Sequence, residues 1–402
     1  MNASLWPERI LMTADTVGGV WTYALELARA LEPHGVQIAL ATMGRPLSRN
    51  QLREVKARPN IDLFESAFKL EWMEDPWRDV AAAGDWLLDL ERRVAPDLVH
   101  LNGFAHGRLA WQSPKIVVGH SCVRSWWRAV HGVDAPARWQ TYHEAVAAGL
   151  RAADLVVAPS RAMLAALQEH YRFEAASRVI YNGRKLPTLP PQPKQSFILS
   201  AGRLWDPAKN VAALAAVARE LPWPVYVAGE AKNPAGSHTR HEQVHHLGHL
   251  AVEELALWFA RAAIYALPAR YEPFGLSALE AALAGCVLVL GDIPSLREIW
   301  GDAALFVPPA DTCALQETLS ELIASPAWRA VLSAKARAGA ARYSSEQMAL
   351  RYLEIYREVR QQAQLNASEK RKRRGQHPRS ASRVSLGRQH HNQPKEMAAC
   401  GS

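Results

Sequence analysis

Residues 269–299 read ARYEPFGLSALEAALAGCVLVLGDIPSLREI. An apolar run ends at Leu267, and a loop passes Pro273, Phe274 and Gly275 into a helix-compatible stretch. Val287–Leu290 is then short and apolar again. Strand, loop, helix, strand is the unit from which parallel α/β sheets are built. Free amides at the helix start, beside a glycine that permits close approach, form an anion site. Glu272 stands just before that helix and Glu280 eight residues later. Carboxylates accept hydrogen bonds from hydroxyls, which a site for phosphate alone would not require. The plainer alternative for both is an ordinary acidic residue, with Glu272 favoured by the helix dipole.

Moving outward, the same unit recurs. Phe197–Ala201 is apolar, GRLWDPAKN (202–210) is a loop, Val211–Glu220 fits a helix and Val225–Ala228 a strand. Ile264–Leu267 and Leu305–Val307 continue the series. Arg203 follows a strand-end glycine and Lys209 precedes a helix; a forked guanidinium and a point charge so placed suit a diphosphate. Two solvated surface cations are the alternative.

The N-terminal half repeats the plan. Arg9–Thr13 reads as a strand, Gly18–Gly19 as a loop that could admit a phosphate, and Tyr23, Leu27, Ala30 and Leu31 as one helical face ended by Gly35. Strands are expected at Val36–Thr42, Leu98–Leu101, Ile116–Gly119, Leu155–Ala158 and Val179–Tyr181. LPTLPPQPKQS, with four prolines in eleven residues, separates the halves. The expectation is therefore an α/β chain of two Rossmann-like domains facing a central cleft, residues 1–186 and 197–344, joined by a linker at 187–196. A closing helix at 345–365 should cross back on a face of Met348, Tyr352, Ile355, Tyr356 and Val359. Residues 366–402, polar and basic, read as a disordered tail.

Charge supports a globular body without a nucleic-acid footprint. Of the net +8, residues 366–402 hold nine Lys or Arg against two Glu, leaving the remainder near neutral. Four scattered cysteines form no CxxC pair, which suits a reducing compartment. The N-terminus MNASLWPERILMTAD lacks the pattern of a secretory leader, and no run is long and apolar enough for a membrane span. A cytoplasmic protein is expected. The basic run at 370–374 could touch the inner face of an anionic membrane.

Together these windows resemble the retaining GT-B glycosyltransferases of family 4. EPFGLSALEAALAG matches that family's E-x7-E motif, AGRLWDPAKN its diphosphate loop, VGGVWTYALELARAL its N-terminal glycine loop, and ADLVVAPSRAM and VIYNG further landmarks. The resemblance spans about residues 9–362. It implies a nucleotide-sugar donor, with Glu272 on the donor sugar and Glu280 on the ribose. It implies that the amides of Phe274, Gly275 and Leu276 hold sugar and phosphate, with Gly18, Gly19, Arg203 and Lys209 also on the donor side. His120, in VVGHSC, would lie near the sugar as a catalytic-site residue. Two departures stand out: Asn210 where the family usually has glycine, and NGRK (182–185) where it often has NGVD. Neither is expected to touch the donor motif. No D-x-D occurs, so no metal or other cofactor is expected.

The acceptor leaves little trace; it could be a saccharide, a lipid-linked sugar or a small molecule. Trp126 and Trp127, just after His120, are its candidates, because indole faces stack on sugars. Competing readings are an epimerase or a non-catalytic nucleotide-sugar binder on the same fold. A more remote one is a zinc hydrolase, from the literal H-E-x-x-H of His241, Glu242 and His245. GHSCV (119–123) lacks the second glycine of a nucleophile elbow.

Overall fold

The structure is a computed structural model that describes residues 6–190, 192–232, 236 and 239–375. Residues through Gln361 form one compact unit that holds two parallel sheets; residues from Gln362 onward form a second unit.

The first sheet has strands β1 (Arg9–Asp15), β2 (Gln37–Met43), β3 (Ile61–Glu65), β4 (Leu98–Leu101), β5 (Lys115–Val118), β6 (Leu155–Ala158) and β7 (Ser177–Val179), in the order β3-β2-β1-β4-β5-β6-β7. The second has β8 (Gln195–Ala201), β9 (Val225–Ala228), β10 (His245–Gly248), β11 (Ala262–Leu267), β12 (Val287–Gly291) and β13 (Leu305–Val307), in the order β10-β9-β8-β11-β12-β13. All pairs are parallel, and the strand order reverses beside β1 and beside β8. In open α/β sheets ligands bind outside the carboxyl ends of strands at such switch points.

Each sheet is buried on both faces, which is why its strands read as continuous apolar runs. Along β1, Ile10 and Met12 join a core with Tyr23 and Leu27 of the first helix (Gly19–Leu31), while Leu11 faces Leu87 and Val146 on the other side. The second sheet divides likewise, with Leu199 and Tyr265 on one face and Ile198 and Ile264 on the other.

The expected strands are all present within a few residues. The edge strand β3 was not foreseen: IDLFE is only partly buried and carries two acids, so its apolar signal is weak. The segment Val211–Glu220 is α-helical to Val217 and finishes as a 3-10 turn. The closing helix begins at Ser345, and its face of Met348, Tyr352, Ile355, Tyr356 and Val359 packs into the first-sheet core, as expected of a helix crossing back. It continues to Gly375, however, so residues 366–375 are helical rather than disordered. They contain no proline and meet no glycine before Gly375, so nothing in the backbone stops the helix. The rest of the expected tail, 376–402, lies outside the described residues. Among the described residues no helix is long and apolar enough to cross a membrane.

Candidate active site

The loop after β11 enters the Leu276–Leu283 helix through Gly275, whose φ of 89° places it in the left-handed region that glycine occupies without strain. Glu272 folds back onto this turn. Its Oε1 accepts the N–H of Gly275 at 2.9 Å and of Phe274 at 3.4 Å, and its Oε2 pairs with Lys209 Nζ at 2.5 Å. Two of the three amides expected to hold sugar and phosphate, those of Phe274 and Gly275, are therefore engaged by Glu272. The open donors begin with Leu276, in the first turn, whose N–H groups have no partner within the helix. The Phe274 ring is buried in the core against Tyr343.

The diphosphate loop is equally self-paired. Arg203 Nη2 donates to Asp206 Oδ2 at 2.7 Å, and Asp206 Oδ1 accepts the Ala208 N–H at 3.0 Å. Burial pushes the Asp206 carboxyl up, but Arg203 and Lys209 outweigh it and hold it below its usual range. Asn210, in the place where glycine was expected, has φ 56°, a conformation asparagine tolerates. Its Nδ2 donates to the carbonyls of Pro268 and Pro309, which ties the loop to β11 and β13.

The N-terminal glycine loop meets these groups. A Cβ on Gly18 would lie 3.2 Å from Arg203 Nη1, and one on Gly19 3.8 Å from Leu276 Cδ1. The structure thus brings Gly18, Gly19, Arg203, Lys209, Glu272 and Leu276 to one crevice.

Two family descriptions divide the chain at the proline segment. Residues 17–186 match Glycosyltransferase Family 4, and residues 195–325 match Glycosyl transferases group 1. The chain belongs to glycosyltransferase family 4. Among its relatives, a D-inositol 3-phosphate glycosyltransferase from Xylanimonas cellulosilytica is 27% identical over 84% of this chain and 91% of its own length. O-antigen chain mannosyltransferase B from Escherichia coli is 31% identical, but the match covers 30% of this chain and 31% of that protein. Glycogen synthase from Mycobacterium tuberculosis is matched over 22% of its length. Among solved structures, sucrose-phosphate synthase from Thermosynechococcus elongatus superposes with TM-score 0.73 at 20% identity, covering 88% of this chain and 99% of that one. HepE from Anabaena, solved with UDP-glucose, gives TM-score 0.67 at 18% identity over 86% and 98%. The fold is accordingly that of the GT-B glycosyltransferases.

In this glycosyltransferase Glu280 is already paired. It is buried, and its Oε1 accepts a bond from Arg184 Nε at 2.6 Å. Arg184 Nη1 also donates to Glu26 at 2.8 Å, and Glu26 in turn binds Arg29, which reaches Ser345 Oγ at 2.6 Å. This corrects the expectation that the NGRK departure leaves the donor motif untouched: Arg184 is bonded to its second glutamate.

His120 is held by Asn102. The Asn102 amide is oriented by Nδ2 donating to Thr13 O at 2.7 Å, so its Oδ1 accepts from His120 Nε2 at 2.8 Å. Nε2 therefore carries the proton and Nδ1 the lone pair. Burial pushes the imidazole pKa down to about 3, so His120 is neutral and works as a hydrogen-bonding group rather than a proton carrier near neutral pH. His100 shares the same amide oxygen at 3.2 Å and receives Tyr356 of the closing helix at its Nδ1 at 2.7 Å.

The two tryptophans are otherwise employed. Trp126 Nε1 donates across the cleft to Asp206 Oδ1 at 3.0 Å, while Trp127 packs on His131 at 4.5 Å with Arg138 over its ring at 5.1 Å. Trp126 is thus a bridge between the halves instead of an open stacking face. Further bridges were not foreseen. Tyr271 OH meets Ser125 Oγ at 2.8 Å, Ser160 Oγ donates to Pro273 O at 2.7 Å, and Glu298 accepts the N–H groups of Arg161 and Ala162 at a helix start. Asp15 and Asn102 were also missed, although an acid at the carboxyl end of a first strand is a signal worth following.

The H-E-x-x-H segment does not make a zinc site. His245 and His246 lie in β10, and His246 Nε2 is bonded to the His241 backbone, so the pair never shares a helical face. Among the described residues no cluster of three metal-binding side chains occurs.

Proposed function

We propose that this glycosyltransferase moves a sugar from a nucleoside-diphosphate donor to an acceptor hydroxyl with retention of anomeric configuration and without a metal ion. The observation that carries this is the convergence of Arg203, Lys209 and the Leu276 helix start with the Gly18–Gly19 loop. When the anomeric bond breaks, negative charge gathers on the departing diphosphate while the sugar becomes cation-like. Two cations and a helix N-terminus preorganised at that place stabilise the leaving charge. On arrival, the diphosphate takes over the partners that Asp206 and Glu272 hold in this structure, which frees Glu272 to turn toward the donor sugar. Glu280, held by Arg184, faces the ribose.

HepE is described with UDP, with UDP and glucose, and with UDP-glucose, which supports a nucleotide-sugar donor here. Residue roles and metal independence rest on the motif and on the chemistry of the charges.

A donor screen with purified protein tests the reading. Release of nucleoside diphosphate together with a sugar-bearing product is expected, unchanged in excess EDTA. Loss of turnover under chelation, restored by a divalent ion, would overturn the metal-free part. Reversible rearrangement of the donor with no transfer would favour an epimerase. The basic run at 370–374 extends the proposal to an electrostatic contact with anionic membrane. Binding to phosphatidylglycerol vesicles that falls steeply between 0.05 and 0.5 M salt, on the order expected from Debye screening, is the corresponding result.

A further inference from the structure

A small cavity of about 60 Å³ lies at the carboxyl ends of β1, β2 and β4, lined by Asp15, Glu71, Trp72, Leu101 and Asn102, with Lys69 at its rim. A water-sized group needs about 10–15 Å³ of such space, so a hydroxyl-bearing group fits.

Its polar groups are almost all spoken for. Both Glu71 oxygens accept backbone N–H groups, from Phe104 and from Ala105. Asn102 is used at both ends, by Thr13 and by His120. Lys69 Nζ donates to Glu74 O at 3.0 Å, which uses one of its three N–H groups. Asp15 differs: Oδ1 accepts the Val17 N–H at 2.5 Å, and among the described residues Oδ2 has no partner. Asp15 Oδ2 is the open acceptor oxygen of this cavity, and what fits it is a donor group.

The surroundings narrow the class. An anion would meet the Asp15 and Glu71 carboxylates against the single ammonium of Lys69. A cation would meet the field of Arg203 and Arg45, which acts on Asp15 although each arginine is bonded to its own carboxylate. A neutral hydroxyl suffers neither penalty.

We infer that this cavity receives a neutral hydroxyl-bearing part of the acceptor, with Asp15 accepting the bond from its O–H, and that phosphorylated groups are excluded from it. This rests on the glycosyltransferase reading above and adds the acceptor's chemistry to it. Asp15 lies one loop away from Gly18, whose space abuts Arg203, so a hydroxyl held here lies on the same side of the crevice as the leaving group. The site binds and orients; no bond to Asp15 is made or broken.

Burial raises the Asp15 pKa to about 6, against the opposing effects of the Val17 N–H, Arg203 and Arg45. A carboxyl whose folded value lies above its unfolded one stabilises the fold when protonated, and that contribution is lost as pH rises through 6.

The test uses the full chain with whichever donor the screen identifies. Acceptors are glycerol, D-glucose and myo-inositol, each beside its phosphate ester, with glucosamine as the cationic arm. The neutral member of each pair should be used at least roughly tenfold better, the loss expected of one unmatched buried charge. Asp15→Asn should raise the acceptor KM by about the same factor, and by more than it changes the donor KM. The same variant should melt higher than the wild type at pH 8. Preference for a phosphate ester or for glucosamine, a change confined to the donor KM, or a lower melting temperature would each overturn the inference. Failure of the wild type to turn over any donor removes the function proposed above; normal donor turnover with an indifferent Asp15→Asn removes this inference alone.

Discussion

At the carboxyl ends of β8 and β11, Lys209 is matched by Glu272 and Arg203 by Asp206, and nearby Glu280 is matched by Arg184. At the equivalent ends of β1 and β4, Asp15 has no ion-pair partner among the described residues and the histidines are neutral. Two sheets wound alike thus handle charge in opposite ways. The donor half stores its charges as pairs that a diphosphate can exchange into, which keeps Arg203 and Lys209 in place while the crevice is empty. The other half keeps a carboxylate open and its hydrogen-bonding groups uncharged, which suits recognition of hydroxyls.

Removing Arg184 breaks the comparison hardest, because it gives the donor half an unmatched buried charge. Arg184, Glu26 and Glu280 side chains are 9%, 4% and 11% exposed. Arg184→Met leaves Glu280 without its cation and Glu26 with Arg29 alone. Breaking a buried pair from one side costs about 3–5 kcal/mol. The denaturant midpoint should fall accordingly, and Arg184→Met combined with Glu280→Gln should recover part of the loss. Additive losses in the double variant would show that the two residues do not act as a pair.

Glu272→Gln comes next. It removes the charge that pairs Lys209 and the bond that Glu272 would accept from a donor-sugar hydroxyl, worth about 1.5–3 kcal/mol or roughly ten- to a hundredfold in rate. With Glu272 in the proposed role, where charge develops, the loss should fall on kcat. Glu280→Gln, in the ribose-side role proposed for it, should raise the donor KM instead. Steady-state kinetics on variants shown by melting to be folded separates the two. Wild-type turnover in a folded Glu272→Gln protein would remove the proposed site.

How much of this was legible in the sequence follows the same divide. The strands and the E-x7-E window could be read because apolar runs and glycine junctions are local signals; Gly275 and Asn210 announce left-handed turns by their chemistry alone. Arg184 could not be read as a donor-side residue, because its role exists only where the end of the first half, the first helix and the Leu276–Leu283 helix meet. Trp126 was read as a stacking face for the same reason: its partner, Asp206, is eighty residues away in sequence. Glu272 was recognised, but its bonds to the turn it precedes were not, since capping by a preceding carboxylate and binding of a sugar call for the same residue type.

The smallest effect belongs to Arg45 and Glu230, which join the halves at the rim through two bonds of 2.7 and 2.8 Å. Their side chains are 50% and 28% exposed, so water and salt screen them. Pairs of this kind contribute about 0.2–1 kcal/mol. Arg45→Gln should therefore lower the melting temperature only slightly, and the difference should vanish in 1 M salt, where the screening length is about 3 Å. The bond from Arg45 holds the Glu230 carboxyl below its usual range. Its contribution is accordingly present above the ordinary glutamate value and lost as pH falls through the lowered one, leaving it constant around neutrality. Because the pair spans the crevice, its loss should also favour a more open arrangement. The donor KM should then rise by no more than about fivefold, the equivalent of 1 kcal/mol, with kcat unchanged. A tenfold or greater effect that persists in high salt would mean that Arg45 touches the donor or the acceptor itself, and the contrast between a paired donor side and an open acceptor side would have to be redrawn at the rim.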